Sequence, residues 1–189
     1  MPLRLRPATP QDADLLVRVI DMAGEGLTRV IWAGIGGPDA DPLAIGRDRA
    51  CRDTGGFSWR NALVAEQDGR PAGAIVTYLT GPAPDLPDAE TPPLFVPLMA
   101  LEALAPDTRY INALAVLPEA RRRGVAQALM AAAPAGPLGH SLIVSDTNTA
   151  AQALYGRLGF AEAARRPLVA GGWRTPAREW VLMTRAAGG

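Results

Sequence analysis

The sequence predicts a single domain of mixed α/β type built on one sheet. Three observations lead there. The 189 residues are 48% hydrophobic and 20% charged, enough apolar material for one core. Helical and strand periodicities succeed one another in the order βαα-βββ-αβ-αββ. No linker, charge run or internal repeat divides residues 1–189.

Residues 3–6 alternate apolar and basic, as a half-buried strand does. Thr9-Pro10-Gln11-Asp12 then starts a helix, with Thr9 as N-cap, Pro10 at the first helical position and Asp12 three residues in. Leu15, Leu16, Val19, Ile20 and Ala23 form its apolar stripe, and Gly24 or Gly26 ends it. Residues 27–58 are ambiguous: Val30 and Leu43 each open a helical pattern, interrupted by Gly36-Gly37-Pro38. Residues 61–67 and 71–79 flank Asp68-Gly69 and predict a hairpin. Six prolines make 80–97 a loop, and 98–104 a short helix. Further on, 110–117 and 141–145 read as strands, the helix between them running from Gly124 to about Ala133. Residues 149–158 read as a helix closed by Gly159, and 160–166 and 179–184 as the last strands.

Composition removes whole classes of chemistry. All nineteen basic residues are arginines, which excludes a P-loop lysine and a lysine Schiff base. They balance nineteen acids, so no net field draws the chain to nucleic acid. With one histidine (His140) and one cysteine (Cys51), a His/Cys zinc site lacks ligands, an internal disulfide is impossible, and no metal is expected. Cys51 is expected to be half-buried on a helix, and the four tryptophans to lie in the core or at its rim. The longest apolar stretch, residues 94–104, contains Pro97 and Glu102 and is too short for a bilayer, and residues 1–7 hold no apolar signal-type run. The expectation is a soluble, cytoplasmic protein with no membrane partner.

The richest stretch is Leu117-Pro-Glu-Ala-Arg-Arg-Arg-Gly-Val-Ala-Gln-Ala-Leu-Met130. A strand ends, a basic turn follows, and Gly124 opens a helix whose free N–H groups and dipole suit an anion. Arg121, Arg122 and Arg123 can add charge-assisted bonds to phosphate. Taken alone, R-x-x-G-x-A also describes a solvated basic turn. Downstream, however, stands Asn148-Thr-Ala-Ala-Gln-Ala-Leu-Tyr-Gly-Arg-Leu-Gly-Phe160. Together, after the strand Ile-Asn-Ala-Leu-Ala-Val, the two stretches resemble the GNAT N-acetyltransferase superfamily. Its phosphate signature Q/R-x-x-G-x-G/A is matched by Arg121, Gly124 and Ala126. Its second signature, N-x-x-A-x-x-L-Y-x-x-x-G-F, is matched by Asn148, Ala151, Leu154, Tyr155, Gly159 and Phe160.

The resemblance implies a mostly antiparallel sheet of six to seven strands, helices on both faces and a splayed central V cleft. It implies acetyl-CoA as cosubstrate, its pantetheine amides pairing with Leu114, Ala115 and Val116. The pyrophosphate would rest on the N–H groups of Arg122, Arg123, Gly124, Val125 and Ala126. Asn148, with Ala151 on the same helix face, would hold the pantetheine arm. Tyr155 would protonate the departing thiolate, and a helix tyrosine packing on the sheet with its hydroxyl in solvent is the ordinary alternative. Many relatives carry a base glutamate on the central strand, where this chain has Asn112; an amide accepts no proton at neutral pH, so Asn112 at best orients an amine or a water. Asp21, Glu25, Glu66, Asp146 and His140, the last expected ahead of a strand near the sheet's edge, remain the candidates for a base. The implied reaction is direct transfer of acetyl to a primary amine, with residues 24–58 and 80–108 building a covered small-molecule acceptor site and a homodimer compatible with it. A non-catalytic acyl-CoA sensor of the same fold is the competing reading.

Overall fold

The computed structural model describes residues 3–188. Its strands are β1 (Leu3–Pro7), β2 (Ala62–Gln67), β3 (Arg70–Leu79), β4 (Arg109–Val116), β5 (His140–Ser145), β6 (Ala161–Pro167) and β7 (Glu179–Arg185). They form one mixed, mostly antiparallel sheet in the order β1-β2-β3-β4-β5-β7-β6. Six helices accompany them: α1 (Ala13–Ala23), α2 (Leu27–Gly36), α3 (Pro42–Ala50), α4 (Val96–Glu102), α5 (Val125–Ala132) and α6 (Thr149–Arg157). Contacts group the chain into two compact units, one ending at Tyr78 and resuming over Asn112–Ala133, the other comprising Leu79–Ile111 and the chain from Pro134.

In the first unit, β1 pairs antiparallel with β2 from Leu3↔Gln67 to Pro7↔Leu63. The β2–β3 turn is Asp68-Gly69, with φ of 57° and 73°. Both angles are left-handed, as a tight hairpin turn requires. Leu16, Val17, Val19 and Ile20 bury one face of α1, which packs with Val64, Val76 and Ala113 of the sheet into one apolar cluster. The ambiguous stretch 27–58 resolves into two helices. Gly26, at φ 87°, starts α2, and the Asp41 carboxylate accepts from Leu43 N at 2.9 Å to cap α3. Trp32 of α2 is buried and stacks on Phe57 at 6.1 Å. Cys51 caps the end of α3 and is exposed rather than half-buried, because the apolar face of this short helix ends at Ala50.

The entry to α1 is fixed by charge. Arg6 donates from both terminal nitrogens to the Asp12 carboxylate at 2.8 Å, and from Nε to Glu66 at 2.7 Å. Thr9 donates its N–H to Asp12 as well, also at 2.8 Å, so the expected acidic cap forms. It does so on a single 3-10 turn, Pro10–Asp12, that precedes the α-helix.

In the second unit, β4 and β5 run parallel, with Arg109 opposite His140 and Tyr110 opposite Ser141. β7 pairs antiparallel with β5 on one side and β6 on the other. His140 therefore opens an inner strand and is buried, contrary to the expected edge position. α4 lies against β5, β6 and β7 and starts two residues before the expected Leu98. Trp173 and Trp180 stack nearly parallel at 5.7 Å, and a chain of buried hydroxyls joins Thr80, Thr108 and Ser141. Among the described residues, no helix is long and apolar enough to cross a membrane.

Arg6, outweighing the opposing effect of burial, holds the Asp12 carboxyl below its ordinary value. A depressed carboxyl stabilises the fold fully above its unfolded value and loses that contribution as pH falls through the folded one. Asp12→Asn is expected to cost about 1–3 kcal/mol at neutral pH. Urea denaturation at a series of acidic pH values checks it: the mutant's stability should fall less steeply with acid than the wild type's.

Candidate active site

The residues of the first motif lie on a strand, a turn and a helix of the first unit. Leu117 and Ala120 are buried and anchor a 3-10 turn, Pro118–Ala120, at the end of β4. Val125, Leu129 and Met130 bury one face of α5. Between these anchors Arg121, Arg122, Arg123 and Gly124 are all exposed. Arg122 and Gly124 have φ of 59° and 78°. A left-handed arginine is strained by roughly 1 kcal/mol, and Gly124 makes the second reversal without that strain. A Cβ at Gly124 would meet only the Gln127 side chain, at 4.0 Å, so the space over the turn is open.

The first main-chain bond of α5 runs from Ala128 N to Gly124 O at 3.0 Å. The N–H groups of Val125, Ala126 and Gln127 precede it and emerge at the positive end of the helix. Three arginines precede Gly124 in the chain. Arg121 rests its Nε against Val116 O at 3.3 Å, and Arg123 reaches Gln67 Oε1 at 3.3 Å. Both acceptors are uncharged, so the positive charge of the turn is not neutralised by them. On β4, Asn112, Leu114, Ala115 and Val116 are half-buried, while Ala113 points into the core.

The residues of the second motif lie on α6 in the second unit. Asn148 is its N-cap, and its amide oxygen accepts from Ala151 N at 3.1 Å. Tyr155, about two turns on, is buried, and its ring packs on Phe160 at 5.7 Å. Phe160 in turn meets the His140 ring edge-on at 6.4 Å and the Arg185 guanidinium at 5.0 Å. Arg185 also donates to Leu158 O, at 3.0 Å, and lies 3.2 Å from His140 Nδ1. These contacts fix the ring of Tyr155. Burial pushes its phenol up to about 12. Arg185 was not legible as a support for Tyr155, since it stands thirty residues away on the last strand; its one signal was a basic residue ending a strand otherwise apolar.

The candidate bases are engaged elsewhere. Asp21 pairs with Arg29 at 2.7 Å, and Glu66 holds Arg6. Asp146 accepts from Arg178 N at 3.1 Å, and Glu25 sits at a left-handed φ of 53° after α1. Among the described residues, no group of three His, Cys, Asp or Glu side chains is placed to hold a metal.

Residues 38–160 match the Acetyltransferase (GNAT) family, and the chain belongs to it. Solved structures share the fold. An N-acetyltransferase from Staphylococcus aureus Mu50 is 19% identical with a TM-score of 0.64, the match covering 95% of this chain and 98% of that one. Ard1 from Thermoplasma volcanium is 18% identical with a TM-score of 0.58, covering 98% of each chain. The ribosomal-protein-S18-alanine N-acetyltransferase from Escherichia coli is 15% identical with a TM-score of 0.55, covering 98% of this chain and 94% of that one. No curated protein sequence matches the chain.

The raised phenol carries a sign. A group whose folded value exceeds its unfolded one, about 10 for tyrosine, stabilises the fold fully below that pH and loses the contribution as pH rises toward 12. Ultraviolet titration of folded wild type and Tyr155→Phe should show no Tyr155 phenolate at pH ~10. A phenolate signal there that the mutation removes would contradict the burial described.

Proposed function

We propose that the chain is a single-domain N-acetyltransferase that moves acetyl from acetyl-CoA to a primary amine, within a direct ternary complex, and that its acceptor is a small molecule. The observation that carries the reading is the β4–turn–α5 segment. Its exposed N–H groups, left-handed Gly124 and three arginines make a receptor for pyrophosphate. The N–H groups of Arg122, Arg123, Gly124, Val125 and Ala126 would take the pyrophosphate, and Arg121 would add charge. Leu114, Ala115 and Val116 would supply the strand edge for pantetheine. The Asn148 amide oxygen is committed to the helix, so Asn148 and Ala151 would shape the pantetheine path through the helix start.

In the reaction, the amine nitrogen attacks the thioester carbon, the C–S bond breaks, and the sulfur leaves as thiolate. A phenol near 12 holds its proton more tightly than a thiol of about 8.5. Tyr155 would therefore act first as a fixed hydrogen-bond donor to the charge growing on sulfur. The same shift keeps that donor protonated throughout the working range. With Asn112 on β4 and the nearby carboxylates paired, the amine would give its proton to solvent, Asn112 orienting the amine or a water. The departure at Asn112 favours the second reading, an acyl-CoA sensor that binds without turnover. Residues 24–58 and 80–108 would frame the acceptor.

Thiol release from acetyl-CoA across an amine panel tests the enzyme against the sensor; tight acetyl-CoA binding with no turnover on any amine would leave the sensor standing. Tyr155→Phe should keep acetyl-CoA affinity and lower kcat by about 10²-fold or more. Gly124→Asp should weaken acetyl-CoA by about 2–4 kcal/mol through bulk and repulsion. Gly124→Asn, which tolerates the left-handed backbone, should lose less. Calorimetry reads both, and an unchanged affinity in Gly124→Asp would move the phosphate site elsewhere.

A further inference from the structure

β3 carries a glycine that neither a turn nor a backbone angle requires. Gly73 is buried within the strand, opposite Ala65 of β2, and is absent from the positions with left-handed φ. A glycine inside a strand weakens it and often marks a close approach of another backbone. Here the approach is explicit. A Cβ on Gly73 would lie 2.5 Å from the Ala115 carbonyl oxygen and 3.0 Å from the Val116 Cα. Both are main-chain atoms of β4, so no rotamer change relieves the overlap.

Two hydrogen bonds define which way β4 faces at this point. Leu117 donates its N–H to Ala72 O at 2.8 Å, and the Ala115 carbonyl lies over Gly73, so residues 115 and 117 turn their main chain toward β3. Val116, between them, turns the other way by strand alternation. Its carbonyl accordingly accepts from Arg121 Nε at 3.3 Å instead of from β3. The main-chain groups of Val116, and by the same alternation of Leu114, are the ones β4 offers to a ligand strand.

We infer that Gly73 is a positioning residue for the acyl donor: its missing side chain lets Ala115 and Val116 of β4 settle onto β3, which sets the height at which Leu114 and Val116 present their main-chain groups to the pantetheine arm. The inference rests on the reading of β4 as the pantetheine strand. It also divides the roles that the sequence motif left together, since Ala115 faces β3 and serves the fold. A side chain at 73 would lift β4 first at Ala115 and Val116, the stretch proposed for pantetheine.

The test compares Gly73→Ala with wild type, using acetyl-CoA and adenosine 3′,5′-bisphosphate, a fragment that has no pantetheine. Calorimetry should show acetyl-CoA bound about tenfold more weakly, with fragment affinity changed less than about twofold. KM for acetyl-CoA should rise by the same factor, with kcat at saturation nearly unchanged. A purely structural role would lower Tm and leave the ratio of the two affinities as in wild type, and that result overturns the inference. Should Gly73→Ala fail to fold, amide hydrogen exchange on wild type decides. Leu117 should be protected with and without acetyl-CoA, and Val116 only with it. Protection gained at Ala115 instead of Val116 would overturn the assignment. If wild type binds no acetyl-CoA at all, the proposed function falls first, and the role of Gly73 with it.

Discussion

The main-chain hydrogen bonds at the two ends of β4 are the constraint on which the rest hangs. Thr80 N donates to Thr108 O at 2.9 Å just before the strand, and Leu117 N donates to Ala72 O at 2.8 Å just after it. An unpaired main-chain group buried at either point would cost about 1–3 kcal/mol, so the strand has little freedom to slide. The first of these bonds is reinforced by hydroxyls: Thr80 and Thr108 both donate to Ala105 O, and the Thr108 and Ser141 hydroxyls are hydrogen-bonded at 2.6 Å. With β4 held at both ends, the turn that follows it leaves from a fixed place. Val125 and Leu129 then fix the direction of α5.

Net charge of zero is realised here as local pairing. Arg6 with Asp12 and Glu66, Arg29 with Asp21, Arg60 with Asp53, and Arg165 with Glu162 and Glu179 account for many of the acids. The exposed pairs add little stability, typically under about 1 kcal/mol. Their larger effect is on the field. Among the described residues, none of these ion pairs involves Arg121, Arg122 or Arg123, so three successive guanidiniums at this turn keep their charge.

Much of this was legible because the decisive signals were local. Asp68-Gly69 demands a left-handed turn whatever surrounds it, and Thr9-Pro10 with Asp12 caps a helix by its own side chains. The turn between β4 and α5 could be read for the same reason: strand, arginines and Gly124 are contiguous. The two helices in 27–58 were obscure because packing, more than periodicity, makes them. Trp32 is buried against α3, where a Cβ at Gly46 would stand 2.8 Å from its ring. The inner position of His140 depends on β7 inserting between β5 and β6, a long-range event with no local mark. Gly73 was hidden in the same way, since its partner atoms lie some forty residues on. The shift at Tyr155 follows from burial against Phe160, which a motif cannot quantify.

The all-arginine turn has a chemical corollary. Thioesters acylate free amines without help, and a lysine held beside a bound acyl-CoA is the side chain most exposed to that side reaction. A guanidinium stays protonated at any pH the fold survives, and so offers the thioester no lone pair. These 189 residues contain no lysine at all, and the charge of the turn before α5 is supplied by Arg121, Arg122 and Arg123. On the proposed reading, an acyl donor held against such a surface would not slowly modify the residues that bind it, and the charge of that surface would not fade as the medium turns alkaline.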